Sequence, residues 1–352
     1  MKTSPLLRSL ILSLTLLTSV PSFAAVKKEF NVCWTIYAGW MPWGTISNEK
    51  IIDKWASKYS IKINIVQLND YIESINQYTA GQFDGCTMTN MDALTIPAAG
   101  GVDSTALITG SYSDGNDGVV LKGADKKLSD LKGMSVYLPE LSVSHYLLVR
   151  GLEKAGLQEK DVKVVNTSDA DIVSAFGTSG VRAAVAWNPQ LSVIKKTPQT
   201  SEVFSSSQVP GELIDMMVVN TQTLKDNPAL GKALTGAWFE MMAKMKAGDS
   251  QALSAMAADS GTDLAGYQAQ LKTTHLFWTP ADTLAFISSP ELAKTMQRVA
   301  QFSFDKGLLG EGAQSADFIG MTFPGNVTLG DAANRKLRFD DSYLKLAAAG
   351  QL

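Results

Sequence analysis

The run Lys127-Leu-Ser-Asp-Leu-Lys-Gly-Met-Ser-Val-Tyr-Leu-Pro-Glu140 decides the fold, together with the segment from His145 to Gly156, Asp161 to Val165 and the closing Val185-Ala-Trp-Asn-Pro-Gln190. By period it reads turn, strand, loop, amphipathic helix, strand, helix, strand. Each loop after a strand opens a helix, and in a parallel sheet such loops gather at the carboxyl edge, where small ligands bind. The chain is therefore α/β.

The same pattern lies upstream. Phe30 to Tyr37 reads as a strand followed by the aromatic loop Ala38-Gly-Trp-Met-Pro-Trp-Gly44, a helix from Ser47 to Tyr59 and a strand from Ile61 to Leu68. Asp70 stands where a cap belongs before a helix from Tyr71 to Ala80. Gly81-Gln-Phe-Asp84 turns into a third strand, and Asn90 to Ala99 is a helix with Asp92 in its first turn. Between the two units, Gly110-Ser-Tyr-Ser-Asp-Gly-Asn-Asp-Gly118 has the composition of an irregular functional loop. Downstream, Leu213 to Asn220 is one more strand, apolar around Asp215. From Thr221 only helices are expected, over Pro228 to Ala247, Ala252 to Asp259, Leu264 to Leu271, Asp282 to Ile287 and Pro290 to Lys306, before an irregular tail. At 352 residues the chain can form two domains with sizeable cores.

Residues 1–25 read as a cleaved secretory signal: Lys2 and Arg8 precede the apolar run Leu10 to Val20, and Ser22-Phe23-Ala24 offers small residues for cleavage. The apolar run falls short of the roughly 20 residues that span a bilayer, and no cysteine at the cut offers a lipid anchor. The expected location is the free periplasm. Removal of the signal leaves 29 basic against 34 acidic residues, a net charge near −5, which argues against nucleic acid as a partner. The two cysteines, Cys33 and Cys86, permit a disulfide in an oxidising compartment and equally read as two buried thiols on adjacent strands.

Leu128-Ser-Asp-Leu-Lys-Gly133, the Ser142 and Ser144 loop, Leu152-Glu-Lys-Ala-Gly-Leu-Gln-Glu-Lys-Asp-Val162, Ala184-Val-Ala-Trp-Asn-Pro189 and Gly81-Gln-Phe-Asp84 together resemble the periplasmic binding proteins for nitrate, sulfonates and taurine. Within that family the chain is most similar to the binding proteins encoded beside urea carboxylase, associated with guanidine. The resemblance implies a type II two-lobed periplasmic binding protein fold, each lobe a mostly parallel sheet flanked by helices, with a hinge of two crossing strands. Residues 26–112 with 220–352 form lobe one, 119–217 lobe two, and the hinge lies near 113–118 and 218–219. It further implies a monomer without catalysis, cofactor or metal, which holds a small molecule in the interlobe cleft and hands it to an inner-membrane ABC permease.

Helix amino termini aimed at such a cleft favour anions. This chain instead places Asp92, Asp114, Asp117, Glu140 and Asp215 there, and no Lys or Arg within residues 37–48, 87–94, 110–118, 138–146 or 187–191. Trp40, Trp43, Tyr112 and Trp187 fall in the same loops, and a ring face attracts a cation by about 0.5–2 kcal/mol. A guanidinium can stack on a ring while pairing with a carboxylate. The expected ligand-binding residues are Trp40, Trp43, Asp92, Asp117, Glu140, Ser144, Trp187 and Asp215, and the expected cargo is a small nitrogenous cation, guanidine foremost. Two alternatives stand beside it. One is a small anion held by backbone N–H groups and hydroxyls. The other is an enzyme on the same fold, disfavoured by two histidines, no metal-ligand spacing and no phosphate loop.

Overall fold

Strand β1 (Glu29–Thr35) lies parallel to β2 (Lys62–Leu68) on one side and β3 (Gly85–Thr89) on the other. β1 and β3 are buried along nearly their whole length, as strands of a parallel sheet covered on both faces are. The computed structural model describes residues 27–352; the expected signal, residues 1–25, lies outside them. The further strands are β4 (Ser104–Ser113), β5 (Asp117–Lys122), β6 (Ser135–Leu138), β7 (Lys163–Asn166), β8 (Ala183–Trp187), β9 (Thr200–Ser205), β10 (Ile214–Asn220), β11 (Thr274–Leu276), β12 (Gly320–Phe323), β13 (Val327–Leu329) and β14 (Arg335–Phe339). They form two sheets. The first runs β13-β12-β14-β4-β10-β3-β1-β2 with β11 also on β4, and the second β7-β6-β8-β5-β9. Each is the sheet of one lobe.

Of the strands that run antiparallel to their neighbours, two position the site. β5 is antiparallel to β8 and β9, and β10 to β3 and β4. Each enters its sheet directly after the chain has crossed from the other lobe, over residues 114–116 and 206–213. An antiparallel strand starts where its neighbours end, so both begin at the carboxyl edge. The return crossing therefore lies earlier than the expected 218–219, because β10 belongs entirely to the first sheet rather than to lobe two. The crossings touch: the hydroxyls of Ser113 and Ser206 are 2.6 Å apart, and Gly115 N–H donates to Ser206 Oγ at 2.8 Å.

Helix α1 (Met41–Asn48) occupies the stretch expected as an aromatic loop; Pro42 in its first turn lacks only an N–H that would have no partner there. Lys50 at φ 62° separates it from α2 (Ile51–Lys58), replacing one expected helix with two. The other helices of the two α/β units are α3 (Tyr71–Thr79), α4 (Asn90–Ala93, continuing as a π-helical turn to Ala98), α5 (Val143–Lys154), α6 (Ile172–Gly177) and α7 (Gln190–Lys195). The expected helices after Thr221 are present, the longest being Pro228–Lys246 and Pro290–Asp305. The tail is not irregular: β12, β13 and β14 complete the first sheet, β14 beside Ser104–Ala106 of β4. Arg338 of β14 anchors it through Asp103. Among the described residues no helix is long and apolar enough to cross a membrane.

Cys33 of β1 and Cys86 of β3 are register partners, fully buried, with Cα atoms 4.4 Å apart and sulfurs joined as a disulfide. The bridge closes a sequence separation of 53 residues, for which the loss of unfolded-chain entropy is worth about 4 kcal/mol. The double substitution Cys33→Ala and Cys86→Ala is expected to lower the melting temperature of the oxidised protein by several degrees; calorimetry showing unchanged melting would contradict this.

Candidate functional site

The carboxyl edges of the two sheets face each other, and the two crossing strands deliver one carboxylate each. Asp117 is the first residue of β5, in register with Trp187 at the end of β8; Asp215, second in β10, is in register with Thr89 at the end of β3 and Ser111 of β4. Both are buried, at 3% exposure. They share a small cavity with the rings of Tyr37, Trp40, Tyr71 and Trp187. Thr89, Val143 and Leu213 fill the remaining wall, and no lysine, arginine or histidine contributes. The cavity is only about 10 Å³, near the least that holds one water.

The rings form a continuous arc. Centroids lie 4.9 Å apart for Tyr37 and Trp40, 5.7 Å for Trp40 and Tyr71, and 5.4 Å edge-on for Tyr71 and Trp187. The indole Nε1 atoms of Trp40 and Trp187 are buried and have no hydrogen-bond partner. Asp215 Oδ2 accepts from Ser111 at 2.6 Å and from Tyr37 at 3.1 Å. Gly39 leaves room for this pair, since a Cβ there would stand 2.8 Å from the Tyr37 ring and 2.9 Å from the Ser111 hydroxyl.

Burial raises the affinity of both carboxylates for protons. Asp117 is pushed up to about 7 by desolvation, with the nearby Asp92 charge adding and a hydrogen bond with Ser113 opposing. Asp215 is raised well above the usual carboxylate range, chiefly by burial and then by Asp117, against the hydroxyls of Ser111 and Tyr37. Among the described residues no three His, Cys, Asp or Glu side chains converge as metal ligands. Burial thus favours the neutral form of both carboxyls, and the charge of Asp117 further raises the proton affinity of Asp215.

The structure brings Trp40, Asp117, Trp187 and Asp215 of the sequence-expected set to the cavity. Asp92 stands one layer behind: fully buried, it accepts from Tyr71 at 2.6 Å and Thr89 at 2.7 Å and so fixes two wall residues. Ser144 is buried in the first turn of α5, outside the wall. Two expectations are corrected. Trp43 lies on the inner face of α1, stacked at 5.1 Å on Trp238, because the helix starts before it and turns it into the core. Glu140 is exposed, its loop held by a backbone bond to Asn166, so its charge remains in solvent. Asp70 caps α3 through Glu73 N–H, and His145 accepts from Leu141 N–H; both act locally. Tyr37 and Tyr71 line the cavity and are absent from the expected set, although each is the aromatic residue next to a strand end or cap at the carboxyl edge.

The lobes are held closed by direct bonds. Asp169 of lobe two accepts from the Tyr71 N–H at the start of α3 at 3.1 Å, and Ala38 N–H donates to Asn188 O at 3.1 Å. Glu212, on the return crossing, accepts from Tyr146 and Arg150 of α5, and Arg298 of the helix Pro290–Asp305 lies 3.5 Å away.

The family described as NMT1/THI5 like matches residues 55–247, more than half of the 352-residue chain. A putative binding protein of Brucella abortus is 34% identical over 104 residues, 30% of this chain and 32% of that protein. The taurine-binding periplasmic protein of Escherichia coli is 24% identical over 144 residues, 40% of this chain and 44% of that protein. The match thus spans less than half the length of these curated relatives. The alkanesulfonate-binding protein SsuA from Xanthomonas axonopodis pv. citri, solved bound to MOPS, is similar with a TM-score of 0.68 at 16% identity, covering 82% of this chain and 96% of that one. The periplasmic nitrate-binding protein NrtA from Synechocystis PCC 6803 is similar with a TM-score of 0.56 at 10% identity, covering 91% and 98%. At these identities the likeness carries the fold, the two-lobed type II periplasmic binding protein fold.

A carboxyl whose folded pKa is raised stabilises the fold below its unfolded pKa and loses that contribution as pH rises through the folded value. For Asp117, raised to about 7, the loss by pH 8 is about 4 kcal/mol. Asp117→Asn is therefore expected to melt several degrees above the ligand-free wild type at pH 8, with the difference shrinking toward zero by pH 4. A difference independent of pH would contradict the burial of this charge.

Proposed function

We propose, on the premise that the chain belongs to the NMT1/THI5-like family, that it is a periplasmic solute-binding protein that captures a small nitrogenous cation, guanidinium foremost, and delivers it to an inner-membrane ABC permease. The observation that carries this reading is the pairing of Asp117 and Asp215 with four aromatic rings in a cavity without a basic side chain. Desolvated ring faces attract a cation by about 2 kcal/mol, and a carboxylate on each lobe can pair with N–H groups on opposite edges of a planar ion. The resemblance to binding proteins encoded beside urea carboxylase fits the same choice. In this role the protein acts as a monomer without catalysis, and export by the signal at residues 1–25 would bring it to the periplasm.

A small anion is the second reading. It is favoured by the relatives named for taurine and alkanesulfonates, and by the raised pKa values of Asp117 and Asp215. Protonated, these side chains would donate hydrogen bonds to an anion. The two readings differ in the sign of the pH effect: cation affinity rises as the carboxyls ionise, and anion affinity falls.

Isothermal titration at pH 8 with guanidinium, urea, taurine and nitrate is expected to give saturable binding for guanidinium, at least tenfold weaker binding for urea because it lacks the charge, and none for the anions. Taurine or nitrate binding without a guanidinium response would overturn the cation assignment.

A further inference from the structure

Asp92 is a buried carboxylate that the cavity wall does not include. Its Oδ2 accepts from Tyr71 and Thr89, while its Oδ1 is buried with no hydrogen-bond partner. Across the interlobe boundary stands the amino terminus of α5, twelve residues long, capped by Ser142 and with no acidic residue in its first turn. Val143, the first residue of that turn, lines the same cavity wall as Tyr71 and Thr89, the two side chains that Asp92 holds; burial pushes the Asp92 carboxyl up to about 6, and the hydrogen bonds from Tyr71 and Thr89 oppose that shift. The Ser144 hydroxyl in the same turn is fully buried and also has no partner.

A helix amino terminus carries partial positive charge and ordinarily gathers an anion. Here α5 supplies no negative group of its own, and the carboxylate that faces it comes from α4 in the other lobe. We propose that Asp92 is a resident anion: it takes the position at the amino terminus of α5 where a bound anion would sit, and thereby sets the cleft's preference for positive charge. This rests on the reading of the cavity as a cation site, and it deepens that reading by locating the residue that rejects anions. Donors that would otherwise hold a ligand, namely the Thr89 and Tyr71 hydroxyls, are committed to a group within the chain. In the first turn of α5 the Ser144 hydroxyl remains without a partner.

The test vacates that position. In Asp92→Ala, sodium formate or sodium nitrate at millimolar concentration is expected to raise the melting temperature by several degrees more than in the wild type at equal ionic strength. A variant no more responsive than wild type overturns the proposal. Asp92→Ser, which keeps a hydroxyl for its neighbours, gives the same readout where the alanine variant does not fold. Asp92→Asn fills the same volume without charge, and its guanidinium dissociation constant is expected to rise about tenfold; an unchanged value also overturns the proposal. The two readings fail separately. Formate binding by Asp92→Ala with no guanidinium binding by the wild type removes the cation assignment and keeps the resident anion. Guanidinium binding by the wild type with Asp92→Ala indifferent to anions does the reverse.

Discussion

Two carboxyl groups buried with no basic side chain beside them are the constraint on which this structure turns. Asp117 and Asp215 sit at 3% exposure in a cavity whose wall includes no basic side chain, and a desolvated charge is costly unless it is paired or neutralised. The topology puts them there. Each stands at the start of a strand that has just crossed between lobes and joins its new sheet antiparallel at the carboxyl edge. One lobe alone would hold a single acid on an open edge, and only the closed pair makes a two-sided site.

Closure and ligand affinity are coupled through the same groups. The interlobe bonds from Asp169 to Tyr71 and from Asn188 to Ala38 engage residues beside the cavity, and Tyr71 is also the ring that spans Trp40 and Trp187. Tyr71 is fixed three times over: its N–H by Asp169, its hydroxyl by Asp92 and by the Thr89 N–H. Such a rigid wall reduces what ligand binding must order. The carboxylates destabilise the empty closed form, in keeping with the general trade between site chemistry and stability.

How much of this was legible in the sequence depends on the residue. Asp215 stood out because an acid inside Leu213-Ile-Asp-Met-Met-Val-Val219 has no reason to be buried unless the strand ends at a site. Asp117 was readable from the turn composition of Gly110 to Gly118, and Trp187 from the resemblance carried by Ala184 to Pro189. Trp43 and Glu140 were not, since both depend on where a loop stops: Met41-Pro42 starts α1 early and turns Trp43 inward, while the loop after β6 leaves Glu140 in solvent. The strands β12 to β14 were hidden by their brevity, and β14 by its charges, because Arg335, Lys336 and Arg338 mask an alternation in which only Leu337 and Phe339 are buried. The return crossing was misplaced because a strand's apolar pattern does not say which of two sheets it joins.

Proton exchange on binding tests the central claim most directly. If a cation binds between carboxyls whose pKa values burial has raised, guanidinium must displace protons. Calorimetric titrations near pH 7 in two buffers of different ionisation enthalpy are therefore expected to show net proton release, with affinity rising from pH 6 to pH 8. Proton uptake, or binding with no proton exchange across that range, would contradict the account.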